Sequence, residues 1–161
     1  MKIPDAVRRT ADLLSKSAQT VSICESCTGG LLAAWLTAHA GSSRYFVGGI
    51  VAYANDIKIR VAGVRPSTLR RFGAVSAQTV RQMAVNVRTI FKTKLGLAVT
   101  GIAGPAGGTA QKPVGTVHIA LASPRRVVIR SFRFSGSRSF IRQRSGLAAL
   151  DLICDFIRKG G

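Results

Sequence analysis

Apolar residues recur along this chain at two spacings, and the alternation of these spacings predicts helices and strands in turn. Short apolar runs rich in β-branched and aromatic residues predict strands over residues 21–24, 45–53, 95–100, 115–122 and 127–134. Apolar positions at helical spacing, or cap residues and small residues that open such a stretch, predict helices over residues 5–17, 28–40, 55–62, 76–91 and 137–158. Residues 123–126 are too short a connection for a crossover, so the last two strands should form an antiparallel hairpin.

This order of elements predicts a sheet that carries helices on both faces. The chain has 161 residues, of which 47% are apolar, which suits one domain with one core. Because the final hairpin adds antiparallel pairing, we expect an α/β fold, a three-layer α/β/α domain with a mixed β-sheet. There is no internal repeat and no linker, so we interpret residues 1–161 as a single domain.

The apolar runs and the cysteines bear on the cellular compartment. No apolar run is long enough to span a bilayer, and Met1–Arg9 lacks the apolar stretch of a signal peptide. Cys24, Cys27 and Cys154 are an odd number of thiols and too few for a disulfide framework. These observations predict a cytoplasmic protein without a membrane span.

The formal net charge of +18, from 24 Lys and Arg against 6 Asp and Glu, is extreme for a chain of this size. Such a charge attracts polyanions such as nucleic acid or anionic lipid, and also phosphorylated small molecules. The arginines are spread along the chain with few aromatic residues between them, and no module typical of nucleic-acid binding is present. The pattern therefore leaves two interpretations open, nonspecific polyanion binding and a solvated basic surface.

Residues 25–30, with the sequence ESCTGG, join a predicted strand to a predicted helix and form the first candidate site. A nucleophile such as Ser26 would lie there at the carboxyl edge of the sheet, where open α/β folds bind ligands. Backbone amides at the helix start could stabilise an oxyanion, and Gly29 and Gly30 would let a substrate approach the backbone. The alternative is a structural turn in which Ser26 or Thr28 caps the helix.

The same segment contains Cys24 and Cys27 in a C-x-x-C arrangement, which is a redox dithiol in other proteins. However, Cys24 ends the predicted strand and lies before the helix start. At that position the amides of the helix would stabilise a thiolate least. A zinc site would need two more soft ligands, and Cys154, His39 and His118 stand at no familiar spacing. We therefore rank a dithiol oxidoreductase below a hydrolase and expect no metal.

A serine nucleophile needs a base, and the candidates are the two histidines of the chain and a lysine, Lys58. His39 ends a predicted helix and His118 lies within a strand, so a Ser-His-Asp triad has little support. Lys58 follows the second predicted strand, which Tyr53 closes, and both should lie at the same edge as Ser26. Burial would lower the pKa of Lys58 and make it a base, whereas a solvated Lys58 would stay protonated.

Residues 101–113 are rich in glycine, include two prolines and follow a buried strand, so they predict a loop at this edge. Backbone amides of such a loop can hold a phosphate or a carboxylate. The loop has neither the Walker A pattern nor a G-x-G-x-x-G pattern. A flexible connector is the alternative interpretation.

Six short motifs follow one another along the chain: ESCTGG (25–30), GSS (41–43), YANDIK (53–58), GAVS (73–76), TGIAGP (100–105) and KPVGTV (112–117). Together they closely resemble the CinA C-terminal domain family, which includes stand-alone nicotinamide-nucleotide amidohydrolases (NMN deamidases). The resemblance runs from about Val7 to Ile157, which is nearly the whole chain.

This resemblance implies an amidase that converts nicotinamide mononucleotide (NMN) to nicotinic acid mononucleotide and ammonia by Ser/Lys chemistry, without a cofactor. By motif position the nucleophile falls on Ser26, the lysine base on Lys58 and a supporting tyrosine on Tyr53. Arg142, in the first turns of the last predicted helix, is the expected phosphate ligand. Further substrate contacts are expected from two loops, at Glu25, Thr28, Gly29, Gly30, Thr100, Gly101 and Gly104. We also expect a homodimer.

Four positions depart from the family pattern. Cys24 stands where alanine is usual, Ala106 interrupts the glycine-rich loop, Gln111 replaces a frequent glutamate, and Ser137 replaces the aspartate of a Gly-Asp-Arg run. These positions lie outside the Ser, Tyr and Lys set, so we expect them to alter substrate affinity more than the type of reaction. A catalytically inactive nucleotide-binding domain is the alternative function.

Overall fold

The computed structural model describes residues 3–160; the first two residues and Gly161, which the predicted domain includes, lie outside the described residues. The helices are α1 (Ile3–Lys16), α2 (Leu31–Leu36), α3 (Asn55–Arg60), α4 (Pro66–Phe72), α5 (Ala77–Ile90) and α6 (Arg138–Arg158). The strands are β1 (Val21–Glu25), β2 (Phe46–Val51), β3 (Leu95–Gly101), β4 (Thr116–Ala122) and β5 (Val127–Arg133). No helix in the described range is long and apolar enough to cross a membrane.

The five strands form one mixed sheet in the order β2-β1-β3-β4-β5. β1 pairs in parallel with β2 and β3, so that Val21 lies opposite both Phe46 and Leu95. β3 pairs antiparallel with β4, and β4 with β5, so the last two strands form the predicted hairpin. This arrangement confirms the α/β fold with a mixed sheet, and it brings the carboxyl ends of β1, β2 and β3 to one edge.

Helices cover both faces of the sheet and bury its alternating side chains. On one face, α1, α2 and α6 enclose large side chains such as Ile23 and Leu97. On the other face, α5 packs against small residues such as Ala98. The approach is close, since a Cβ atom on Gly96 would lie 2.2 Å from the carbonyl oxygen of Ala84. Any larger residue at position 96 would therefore push α5 away from the sheet.

Two helices differ from the prediction. A helix forms over Pro66–Phe72, where the apolar pattern predicts none, although Pro66 in its first turn and Gly73 after its end are helix start and stop signals. The helix predicted over residues 28–40 is shorter, because Gly29 and Gly30 have φ angles of 57° and 93°. These left-handed residues turn the chain before the helix begins at Leu31.

Serine side chains begin the two helices that flank the candidate site. The Oγ atom of Ser76 accepts a hydrogen bond from the Thr79 N–H at 3.2 Å and so caps α5. The Oγ atom of Ser137 accepts from the Phe140 N–H at 3.3 Å. Ser137 thus caps α6 itself and places Arg138 in the first turn of that helix.

Candidate active site

Ser26 follows the last residue of β1 and lies at the carboxyl edge of the sheet, between the ends of β2 and β3. Its N–H donates to the carbonyl oxygen of Val99 on β3 at 3.0 Å, and its own carbonyl oxygen accepts from the Gly29 N–H at 3.1 Å. The residue is 7% exposed and lines a cleft. Ser26 therefore combines a fixed backbone with access to a cleft, at the edge where the sequence places it.

Glu25 is fully buried, and its carboxylate organises the turn that follows Ser26. The Oε2 atom accepts hydrogen bonds from the N–H groups of Gly30 and Leu32, each at 3.1 Å, and Oε1 accepts from Ala33 at 3.0 Å. The carboxylate thereby satisfies amide donors at the start of α2 that would otherwise have no partner within the helix. Glu25 shapes the loop and does not line the cleft.

These contacts decide which amides of the loop remain free. The Gly29 N–H is bound to the Ser26 carbonyl, and the first amides of α2 are bound to Glu25. Within residues 3–160, the amides of Cys27 and Thr28 have no such acceptor. The Thr28 hydroxyl is also buried without a hydrogen-bond partner in that range. The loop therefore keeps backbone donors directly after the candidate nucleophile, and of these two residues Cys27 lines the cleft whereas Thr28 is fully buried.

Lys58 on α3 is 2% exposed, which is unusual for a lysine side chain. Its Nζ atom donates to the carbonyl oxygens of Ala52 at 2.8 Å and Tyr53 at 3.0 Å. No carboxylate in the described part of the chain forms an ion pair with it. Burial lowers the pKa of Lys58, and the thiols of Cys24 and Cys27 oppose this to a smaller extent. The environment thus favours a neutral amine, as a general base requires.

Ser26 and Lys58 line the same cleft, which has a volume of about 260 Å³. The cleft lies at the carboxyl edge of the sheet, and its walls come from the segments after β1, β2 and β3, the segment before α5 and the first turn of α6. Other residues that line the cleft include Tyr53, Asn55, Thr100, Gly101, Gly104 and Arg138. The structure therefore brings the three predicted catalytic residues together with Thr100 and with two glycines of the predicted loop, Gly101 and Gly104.

Tyr53 and Arg138 meet at this cleft. The Tyr53 side chain is 57% exposed, and its hydroxyl oxygen accepts a hydrogen bond from the Arg138 guanidinium at 2.8 Å. Arg138 also donates to the carbonyl oxygen of Gly104 at 2.8 Å. It therefore links the segment after β2 to the glycine-rich loop. Sequence analysis does not single out Arg138, although its place directly after the Ser137 cap is a usable signal.

Arg142, the predicted phosphate ligand, contacts the backbone of the nucleophile loop. Its guanidinium donates to the carbonyl oxygen of Thr28 at 2.7 Å, and the residue does not line the cleft. Arg138, one turn earlier on α6, is the arginine that does. Thr100 is buried in the cleft wall, where its hydroxyl donates to the carbonyl oxygen of Ala74 at 2.8 Å. Neither the Arg142 nor the Thr100 side chain is therefore free of protein partners.

The residues of the rival interpretations lack the surroundings that their chemistry requires, although Cys27 lines the cleft beside Ser26. His118 pairs with Ser131 at 2.8 Å on the hairpin, His39 is exposed, and neither histidine lines the cleft. Cys24 and Cys27 are free, buried thiols, and burial raises the pKa of each to about 12. Redox thiols have lowered pKa values, because the thiolate is the reactive form. This difference weighs against a dithiol oxidoreductase.

Comparison with known proteins identifies the family. A family model described as the CinA C-terminal domain matches residues 5–157. The chain belongs to this family. It is 51% identical over 146 residues to a CinA-like protein of Thermosynechococcus vestitus and 49% identical over 146 residues to one of Trichormus variabilis. These matches cover 89% and 88% of the chain but 35% of each relative, so the chain spans about a third of their length.

Two solved structures share its fold. The competence/damage inducible protein CihA from Agrobacterium tumefaciens is 41% identical, with a TM-score of 0.92 over 95% of this chain and 94% of that one. A CinA superfamily protein from Klebsiella pneumoniae is 28% identical, with a TM-score of 0.95 over 99% of both chains. The family and fold expected from the six sequence segments are thus confirmed.

Proposed function

We propose that this CinA-family domain is an amidohydrolase that converts NMN to nicotinic acid mononucleotide and ammonia. The observation that carries the proposal is Lys58, which is buried in the cleft that Ser26 also lines and has no carboxylate partner within residues 3–160. A neutral amine of this kind can accept the proton of a serine hydroxyl and so activate it for acyl transfer. The family resemblance supplies the identity of the amide, the carboxamide of NMN.

Lys58 begins the reaction as a neutral amine. Its two N–H bonds are directed to the carbonyl oxygens of Ala52 and Tyr53, so its lone pair is left to accept a proton. That lone pair takes the hydroxyl proton of Ser26 while Oγ attacks the carboxamide carbon. The carbonyl oxygen becomes an oxyanion, and the free amides of Cys27 and Thr28 are its hydrogen-bond donors.

The tetrahedral intermediate then loses ammonia. The C–N bond breaks, and the Lys58 ammonium gives its proton to the departing nitrogen, which leaves an ester on Ser26. Neutral Lys58 next takes a proton from a water molecule, whose oxygen attacks the ester carbon. The Ser26 oxygen leaves and regains its proton from Lys58, while the acid product loses its own proton to solvent. The cycle consumes one water and requires no redox cofactor.

Recognition of the phosphate is assigned to the first turn of α6. Two guanidinium nitrogens of Arg138 contact Tyr53 and Gly104, and further N–H donors of the same group remain for a phosphate at the cleft. Tyr53 is thereby held where its hydroxyl can orient the substrate or relay a proton. Arg142 holds the Thr28 carbonyl, so we give it the role of positioning the nucleophile loop.

A substrate panel tests this function. Ammonia release is measured with NMN, nicotinamide, NAD and glutamine in the presence of a chelator, together with the dissociation constant of NMN. We expect NMN to have the highest kcat/KM by a wide margin. A higher kcat/KM for another amide would contradict the substrate assignment. Tight NMN binding without ammonia release would instead identify a nucleotide-binding domain that has lost its activity.

A further inference from the structure

The acidic residues leave a long basic segment in the middle of the chain. Residues 57–150 contain 17 Lys and Arg and no Asp or Glu, because all six acidic residues precede or follow them: Asp5, Asp12, Glu25, Asp56, Asp151 and Asp155. β5 and the first turns of α6 lie within this segment. Positive charge on that surface can be compensated only by carboxylates from elsewhere in the chain.

Part of this surface is a row of side chains, Phe132, Phe134, Arg144 and Phe140, which we call the Phe–Arg cluster. The rings of Phe132 and Phe134 stack with their centroids 5.1 Å apart and their planes inclined by 13°. The guanidinium carbon of Arg144 lies 5.8 Å from the ring centroid of Phe134 and 6.0 Å from that of Phe140. Contacts with aromatic rings hold a guanidinium without using its N–H donors.

The Phe140 end of the cluster is open to solvent. Phe140 is 49% exposed and lies against Gly136, where a Cβ atom would come within 2.9 Å of the ring. Arg144 is exposed beside it. Among residues 3–160, the ion pairs do not include Arg133, Arg138 or Arg144. Within the described range, the surface therefore presents the Phe140 ring next to the Arg144 guanidinium, whose charge no carboxylate compensates.

We propose that the Phe–Arg cluster binds single-stranded nucleic acid, with an unpaired base stacked on Phe140 and the neighbouring phosphate bound by Arg144. Stacking on aromatic side chains combined with cationic contacts to phosphates is how proteins bind single strands without sequence preference. Arg138, in the first turn of α6, adds positive charge near the cluster. A duplex hides the faces of its bases, so the exposed ring favours a single strand.

Fluorescence anisotropy with labelled oligo-dT and oligo-U strands of about 20 nucleotides tests the proposal and separates DNA from RNA. The parent protein should bind at least one of the two strands, and its affinity should fall as salt is raised. Phe140→Leu and Arg144→Gln should each weaken binding about five- to tenfold, whereas Phe140→Trp should preserve it. Arg81→Gln is the matched control, because it removes the same charge from an exposed position on α5, on the other face of the sheet.

The control variant and two other ligands separate specific binding from net charge. Arg81→Gln should change affinity by less than about twofold. Equal weakening by Arg81→Gln and Arg144→Gln would overturn the proposal, as would tighter binding to a duplex of equal length or to anionic phospholipid vesicles. Thermal unfolding confirms that each variant is folded. Ammonia release from NMN is measured separately, so this proposal and the proposed amidase activity can fail independently.

Discussion

The Nζ atom of Lys58 lies 2.8 Å from the carbonyl oxygen of Ala52, the residue that follows β2. The N–H of the same alanine donates to the carbonyl oxygen of Glu25 at 2.8 Å. Glu25 directly precedes Ser26, so two hydrogen bonds through one residue connect the candidate base to the neighbour of the candidate nucleophile. The backbone of parallel strands thus fixes the relative position of Ser26 and Lys58.

Amidase activity should depend on the protonation of Lys58. Burial lowers the pKa of this lysine from its ordinary value of 10.5, and the neutral amine is the reactive form. The value of kcat/KM for NMN should therefore rise with pH through an ionisation below 10.5 and fall as the pH drops and the amine takes a proton. A pH–rate profile measures this pKa. A rate that is independent of pH across that range would contradict the role of Lys58.

Glu25→Gln should loosen the nucleophile loop. One amide oxygen cannot accept three N–H bonds, and the new amide nitrogen would face backbone donors. We expect a loss of about 1–3 kcal/mol in the free energy of unfolding and a lower kcat. Asp56→Asn is the control, since its ion pair with Arg60 is exposed and should contribute about 0–1 kcal/mol. Urea unfolding measures the free energy, and ammonia release measures kcat. Equal losses in the two variants would contradict this role of Glu25.

Replacing each of the two arginines at the start of α6 should change a different kinetic constant. Arg138→Ala should raise the KM for NMN about tenfold to hundredfold more than the KM for nicotinamide riboside, because charge-assisted hydrogen bonds to a phosphate contribute about 1.5–3 kcal/mol each. Loss of the hydrogen bond to Tyr53 should affect both compounds alike. Arg142→Ala should lower kcat for both compounds, since it releases the Thr28 carbonyl. Arg81→Ala serves as the surface control. A phosphate-selective loss in Arg142→Ala instead would move the phosphate contact to Arg142.

The thiols should be dispensable and unreactive. With pKa values of about 12, Cys24 and Cys27 carry almost no thiolate at neutral pH, and both are buried. Iodoacetamide should label them rapidly only after denaturation, and the double variant Cys24→Ala/Cys27→Ala should still release ammonia from NMN. Reduction of insulin disulfides by the parent but not by the double variant would support a dithiol oxidoreductase instead.

Sequence patterns predict the elements of this fold better than the surroundings of its polar side chains. The strands have distinct apolar runs, whereas α4 (Pro66–Phe72) has a weak apolar period and is marked only by Pro66 and Gly73. Ser26 can be placed at the sheet edge because it follows a strand directly. The burial of Lys58 cannot be predicted in this way, because it results from contacts with the segment after β2.

Long-range contacts also explain what sequence analysis missed. Arg138 and Arg142 lie one helical turn apart, and their roles differ because Tyr53 and Thr28 approach α6 from different parts of the chain. The sequence shows few aromatic residues between its arginines. In the structure, the hairpin and α6 nevertheless bring Phe134 beside Arg144.

The most direct test of the central claim is the initial rate of ammonia release from NMN by Ser26→Ala and Lys58→Met. Both variants should lose activity by about a thousandfold or more, because one lacks the nucleophile and the other its base. Ser131→Ala and Lys112→Met are the controls; Ser131 is exposed on β5, and Lys112 donates to the Phe72 carbonyl at 2.6 Å. We predict near-parental rates for both controls. Ammonia release at the parental rate by either Ser26→Ala or Lys58→Met would contradict the Ser/Lys mechanism.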